Sequence, residues 1–202
     1  MLGKTHMAVG VAVSLAFLRP KTIQELILGT GISAVGAVIS DIDSGTSESH
    51  KEANKIIFVS FLAAAAMIAV EYKWHVGIYQ MIMRDSSVAR VVIAAAVFLV
   101  SCAYGKEQPH RSFMHSLLAL VLLTGCTDIF LPDMIPYFQI AFLSHLVLDF
   151  LNLKGLRLFY PLQGRVSLGL CSSRGIMNQW MYRVGLLAAV GMFVLLLLNV
   201  WL

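Results

Sequence analysis

The chain has 202 residues, 58% of them hydrophobic and only 13% charged, with a formal net charge of +4 and a mean hydropathy of +0.80. Soluble domains are about a quarter charged, so this composition excludes a water-soluble enzyme and points to an all-α, polytopic transmembrane helical bundle whose backbone polar groups are satisfied inside helices. The basic residues lie in loops between apolar runs, which argues against a nucleic-acid partner and leaves them to orient a single membrane domain over residues 1–202.

In chain order, seven apolar segments run over 6–18, 22–40, 55–72, 88–104, 112–131, 136–152 and 183–202. A full span takes about 20 apolar residues, so the first segment is short. It follows Lys4 as a signal peptide would, but Arg19-Pro20-Lys21 ends it without a small-x-small cleavage site, and retention as the first helix is expected. From Val184 to Leu202 the last segment carries no charge and reads as a plain anchor. Three cysteines, Cys102, Cys126 and Cys171, form no CxxC pair and are read as structural.

Alternation of the segments places the N-terminus with loops 41–54, 105–111 and 153–182 on one side. That side holds ten Lys and Arg against five on the other, which makes it cytoplasmic by the positive-inside rule. Loop 153–182, with Gly155, Pro161, Gly164, Gly169 and Gly175, is expected over the cytoplasmic face. It reads equally as a lid over a site and as a connector at the lipid headgroups.

Seven metal-competent side chains gather at this same side. His6 opens the first segment and Asp41 and Asp43 close the second. His110 precedes the fifth, with His115 in its first turn. His145 and Asp149 occupy the last two turns of the sixth, on one helical face through their i, i+4 spacing. A carboxylate inside a spanning segment is costly, up to about 2.5–3.5 kcal/mol at the helix centre, and such residues usually face the bundle interior. Coordination of a metal would offset that cost for Asp149 and hold His145 neutral, where the alternative is plain buried hydrogen bonding.

Asp41 and Asp43 sit at a helix C-terminus, where the dipole disfavours them, although a polar loop meeting water would also explain them. Arg111, between the two histidines, suits a phosphate or carboxylate, and suits an interfacial anchor equally. His50 and Glu48 read as solvated, His75, Glu71 and Asp85 fall on the other side, Asp128 and Asp133 sit at the far end of the fifth segment, and Glu107 is an outer candidate.

Mixed His and Asp ligands favour Zn, Mn or Fe over Ca, with Zn first and one or two ions. Paired ions commonly hydrolyse phosphoesters through a metal-activated water. In that scheme Asp43 or Asp149 orients the water and Arg111 stabilises negative charge on the substrate. The expected partners are the lipid bilayer and a lipid or amphiphilic phosphoester.

At these residues the chain resembles the bacterial family of predicted membrane-bound metal-dependent hydrolases, the LexA-regulated YdjM-like inner-membrane proteins. The resemblance rests on Thr5-His6, on Ser40-Asp41-Ile42-Asp43, on His110-Arg111-Ser112-Phe113-Met114-His115-Ser116 against an HRGxTHS box, and on Ser144-His145-Leu146-Val147-Leu148-Asp149 against an SHxxxD box. Gly155 and Phe159-Tyr160-Pro161 extend it to about residue 165. Met114 stands where the family usually has Thr, Ser44-Gly45 replaces a frequent His-Pro, and Asn152 replaces a common Thr. The resemblance implies a metal-dependent hydrolase of the bacterial inner membrane. Two other classes fit the same residues: a divalent-metal or proton transporter, and a non-catalytic membrane protein with a structural metal. Gathering of the polar residues at one face, without an inverted repeat, argues against transport.

Overall fold

The computed structural model describes residues 1–43, 69, 71–73, 77, 80, 88–173 and 175–201. The third apolar segment and the polar stretches flanking it fall almost wholly outside these residues, and with them His50, Glu48, His75 and Asp85. The described helices follow the apolar runs, and their ends carry the expected stop signals. Helix α1 (Gly3–Leu18) closes with Arg19 in a left-handed conformation, φ 47°, just before Pro20. Helix α2 (Ile23–Val38) starts at Thr22, whose hydroxyl accepts from Glu25 N at 3.1 Å, while Glu25 reaches back to Lys21 N at 2.9 Å. This is a close relative of the capping box. The helix then tightens into a 3-10 turn over Ile39–Asp43.

Helix α3 (Val88–Glu107) leads through a 3-10 turn at Phe113–His115 into α4 (Leu117–Phe130). Here the structure corrects the sequence reading: His115 lies before the helix, not in its first turn. Ser116 takes the N-cap position, its hydroxyl accepting from Ala119 N at 3.2 Å, and a capping serine displaces the helix start past the histidine. Helix α5 (Ile135–Phe150) carries a proline in its first turn. Helix α6 (Ile176–Trp201) begins well before the expected 183, so residues 176–182 are helical and the loop ends near Gly175. Asn178, Gln179 and Arg183 keep its first turns outside a strictly apolar run, though these turns remain helical.

Among the described residues three stretches are long and apolar enough to cross a membrane: Ile23–Asp43, Ala89–Glu107 and Ile176–Asn199. With α1 and α4 as shorter apolar helices and helix the dominant structure, the fold is an all-α membrane bundle. Helix α1 packs against α2, α5 and α6, and α2 packs against α5. Small residues permit this. A Cβ added at Gly10 of α1 would stand 2.5 Å from Ala37 Cβ of α2, 3.2 Å from Ser144 Oγ and 3.6 Å from Ala141 Cβ of α5. Close backbone approach through glycine and alanine is how membrane helices gain packing energy. This layer lies one turn below His6 (Gly10), Asp41 (Ala37) and His145 (Ala141), so it sets the spacing of the three polar residues above it.

Candidate metal centre

The N-terminus of α1, the C-termini of α2 and α5 and the segment between α3 and α4 meet at one end of the bundle. The structure brings all seven predicted residues together there. His6, His115 and His145 are fully buried, and Asp41, Asp43, Asp149 and Arg111 are nearly so. His110 alone reaches the surface, with its side chain 41% exposed. Glu107 is exposed at the end of α3 and makes none of these contacts.

The imidazole orientations follow from their hydrogen bonds. His145 Nδ1 lies 2.7 Å from the Ala37 carbonyl, an acceptor, so Nδ1 carries the proton and donates, leaving an open lone pair on Nε2. His115 Nδ1 lies 3.2 Å from Asp43 Oδ2 and donates in the same way. The two Nε2 atoms then face one another at 3.2 Å, with Asp41 Oδ1 3.7 Å from each and Asp149 Oδ2 3.5 Å from that of His115. The two imidazole lone pairs face one another without a donor between them and repel, and a cation or an added proton relieves them. Burial by itself pushes the His115 pKa down. The neighbouring Asp149, Asp41 and Asp43 carboxylates outweigh that and hold it well above the ordinary imidazole value.

His6 stacks on His145 with ring centroids 3.8 Å apart. Its Nε2 lies 3.3 Å from Asp149 Oδ1, yet without hydrogen-bond alignment, and neither ring nitrogen has a hydrogen-bond partner. A buried imidazole with both nitrogens orphaned is costly in a finished protein core and natural in a ligand set. Among the described residues three combinations place their ligand atoms within 4.8 Å of one another: His6, His145 and Asp149; Asp41, His115 and His145; and Asp43, His110 and His115. Charge points the same way. Three carboxylates against the Arg111 guanidinium and the Met1 ammonium leave the cluster at −1 with neutral imidazoles, and a bound cation offsets this. The residues present therefore fit a metal ion.

Asp43 faces outward from this centre. It lies 2.7 Å from His110 Nδ1 and 3.2 Å from His115 Nδ1, and it accepts from Arg111 N at 3.0 Å. Arg111 adopts a left-handed backbone, φ 65°, and its carbonyl accepts from Arg157 N at 2.9 Å. Its guanidinium turns inward, 2.9 Å from Asp149 Oδ2 and donating to the Lys154 carbonyl. The segment after α5 is thereby tied to the site, with Leu156 fully buried and the Leu158 carbonyl accepting from Leu117 N at 3.0 Å. The Met1 amino group also contacts Asp149 Oδ1. Helix α1 has no side-chain N-cap, and its Gly3 sits beside Asp41, 3.6 Å from Oδ2 at the Cβ position, so the positive end of the helix faces the acidic cluster.

Three participants escape sequence reasoning, the Met1 amino group and the carbonyls of Ala37 and Lys154, because a main-chain group leaves no residue-type signal. Two departures from the family pattern have local explanations. Met114 is fully buried in an apolar cluster with Phe113, Phe142 and Leu146, in contact with Gly105. Asn152 is buried and donates to Ser173 Oγ at 2.7 Å.

A buried His/Asp cluster held between helix ends of an apolar bundle defines a membrane protein with a candidate metal centre. The chain belongs to the YdjM inner membrane protein family, which matches residues 1–202. It is also 32% identical over 93 residues to a Bacillus subtilis (strain 168) protein described as uncharacterized protein YvsG, a match covering 45% of this chain and 56% of that protein. The match thus spans little more than half of the relative's length. No solved structure matches the chain.

Proposed function

We propose that this protein is a metal-dependent hydrolase of the bacterial inner membrane, cleaving a phosphoester of a lipid or amphiphile at the cytoplasmic face. The observation that carries the reading is a pair of buried triads that share His145, one with His6 and Asp149 and the other with Asp41 and His115, each with its ligand atoms within 4.8 Å of one another. These residues would hold one divalent ion, Zn first by the donor set, with Mn or Fe next. Once bound, such an ion supplies Lewis acidity and lowers the pKa of water.

The chain's own residues do the rest. Asp43 orients the His115 ring and anchors the Arg111 backbone. Arg111 balances Asp149 and keeps its buried Nε–H uncommitted for an incoming anionic oxygen. Asp43 or Asp149 would orient the water, Asp43 being engaged by His110, His115 and the Arg111 amide and Asp149 by Arg111 and the Met1 amino group. The Asp43–His110–His115 grouping favours a second, outer ion as the alternative stoichiometry. A cytoplasmic site follows from the Lys and Arg bias of the loops on its side.

Elemental mass spectrometry of detergent-purified protein, wild type beside a His145→Ala, Asp149→Ala double variant, tests the reading, followed by a phosphoester and phospholipid hydrolysis screen. One ion per chain, lost in the variant, is expected. Two would favour the paired arrangement. A folded wild type that takes up no added divalent ion would overturn the hydrolase reading, and a metal-bound protein without hydrolytic activity would favour a structural ion.

A further inference from the structure

Between α1 and α5 runs an apolar groove of about 360 Å³, within the range of small-molecule sites. Val9, Val13 and Phe17 of α1 form one wall, and Leu143, Val147 and Leu148 of α5 form the other. The one polar side chain on it, Ser144, gives its hydroxyl hydrogen to Ala141 O at 2.7 Å, so the groove asks for no hydrogen-bonding ligand. Phe17, Leu143 and Val147 stand exposed along its rim, open to the bilayer.

Two features tie the groove to the metal centre. Its upper end is made by Val9, one turn from His6, and by Leu148, next to Asp149. Its length follows from helix geometry: Val9 to Phe17 is about 12 Å at 1.5 Å per residue, close to half of the ~30 Å hydrocarbon core. A cleft of one leaflet's depth, with a charged cluster at the headgroup end, has the dimensions of a single lipid tail.

We propose that this groove seats one acyl chain of a membrane lipid whose phosphate headgroup lies at the His/Asp cluster. The substrate is then a lipid of the leaflet on the site's side, drawn laterally from the bilayer. A water-soluble phosphoester would lack this anchor. This inference rests on the hydrolase reading for what happens to the headgroup, but the seat for the chain is testable without turnover.

The experiment uses full-length protein in phosphatidylglycerol and phosphatidylethanolamine vesicles containing a phospholipid with a diazirine on one acyl chain. Cross-linked peptides are then mapped by mass spectrometry. Labelling should concentrate on residues 9–17 and 140–148, roughly tenfold over the equally lipid-exposed face of α6. Leu143→Trp, at a rim position that tolerates bulk, should reduce it by a similar factor, the equivalent of about two displaced methylenes. Leu187→Trp on α6 should leave it unchanged.

The His145→Ala, Asp149→Ala variant separates the two readings. Groove labelling that survives loss of the metal shows the chain seat to be independent of the ion. Labelling spread evenly over the lipid-facing helices, or indifferent to Leu143→Trp, overturns the groove proposal whatever the metal content.

Discussion

Gly10→Ala is a small change with a large expected consequence. The new methyl would stand 2.5 Å from Ala37 Cβ and 3.2 Å from Ser144 Oγ. Carbon atoms rest at about 3.5–4.0 Å, so α1 must withdraw from α2 by about 1 Å. Overpacking of this kind costs about 1–3 kcal/mol, offset by up to about 1 kcal/mol of helix propensity gained over glycine. At about 2–4 °C per kcal/mol for a chain of this size, the melting temperature should fall by a few degrees.

Metal affinity should suffer more than stability. His6 sits one turn above Gly10 and moves with the helix, whereas ligand distances are held to about 0.2 Å, so a 1 Å withdrawal takes His6 out of the set. A loss of about ten- to a hundredfold in affinity is expected. Metal titration calorimetry and thermal unfolding in the same detergent measure both effects. Gly191→Ala is the control, since nothing lies within 4 Å of a Cβ there. Unchanged affinity in Gly10→Ala beside an unchanged melting temperature would refute the idea that the small-residue layer sets the ligand spacing.

Asp43→Asn removes the carboxylate that holds the His115 ring, His110 and the Arg111 amide, and should weaken metal binding by about 10–100-fold without changing stoichiometry, as read by competition with a chelating dye. Arg111→Met leaves Asp149 buried without its guanidinium and should lower stability by about 3–5 kcal/mol in metal-free protein. Added metal should recover much of that loss, and a variant equally stable with and without metal would show the pair to be dispensable. Metal affinity should fall as the pH drops from 7 to 5, because His115, its pKa raised by three carboxylates, must shed its proton to bind an ion. Calorimetry in buffers of different ionisation enthalpy should show proton release on binding near neutral pH, and its absence would mean that His115 is not a ligand.

Much of the architecture is legible along the chain. Segments such as 88–104 declare themselves by an unbroken apolar run, because the cost of an exposed backbone in lipid leaves helix as the only solution. The stop at Arg19-Pro20 and the cap at Thr22 are local chemistry. Helix α4 starts later than its apolar run for an equally local reason, since Ser116 as N-cap sets the first turn beyond the run that begins at Ser112. Helix α6 starts earlier than its apolar run because Asn178, Gln179 and Arg183 interrupt the hydropathy without interrupting the helix.

Hydropathy, charge bias and the ordered His and Asp motifs determined that this is a helical membrane protein with its reactive side chains at one end, because each is a property of residues close together in sequence. The tertiary structure alone decided how those side chains use their atoms. It set which nitrogen of His145 and His115 points inward, turned Arg111 toward Asp149 and Lys154, placed Asp43 behind the histidines, and opened the groove beside α1. These depend on the depth and rotation of each helix, which contacts such as Gly10 with Ala37 and Ala141 fix between residues far apart in the chain. No pattern of residue types along one dimension carries that rotation.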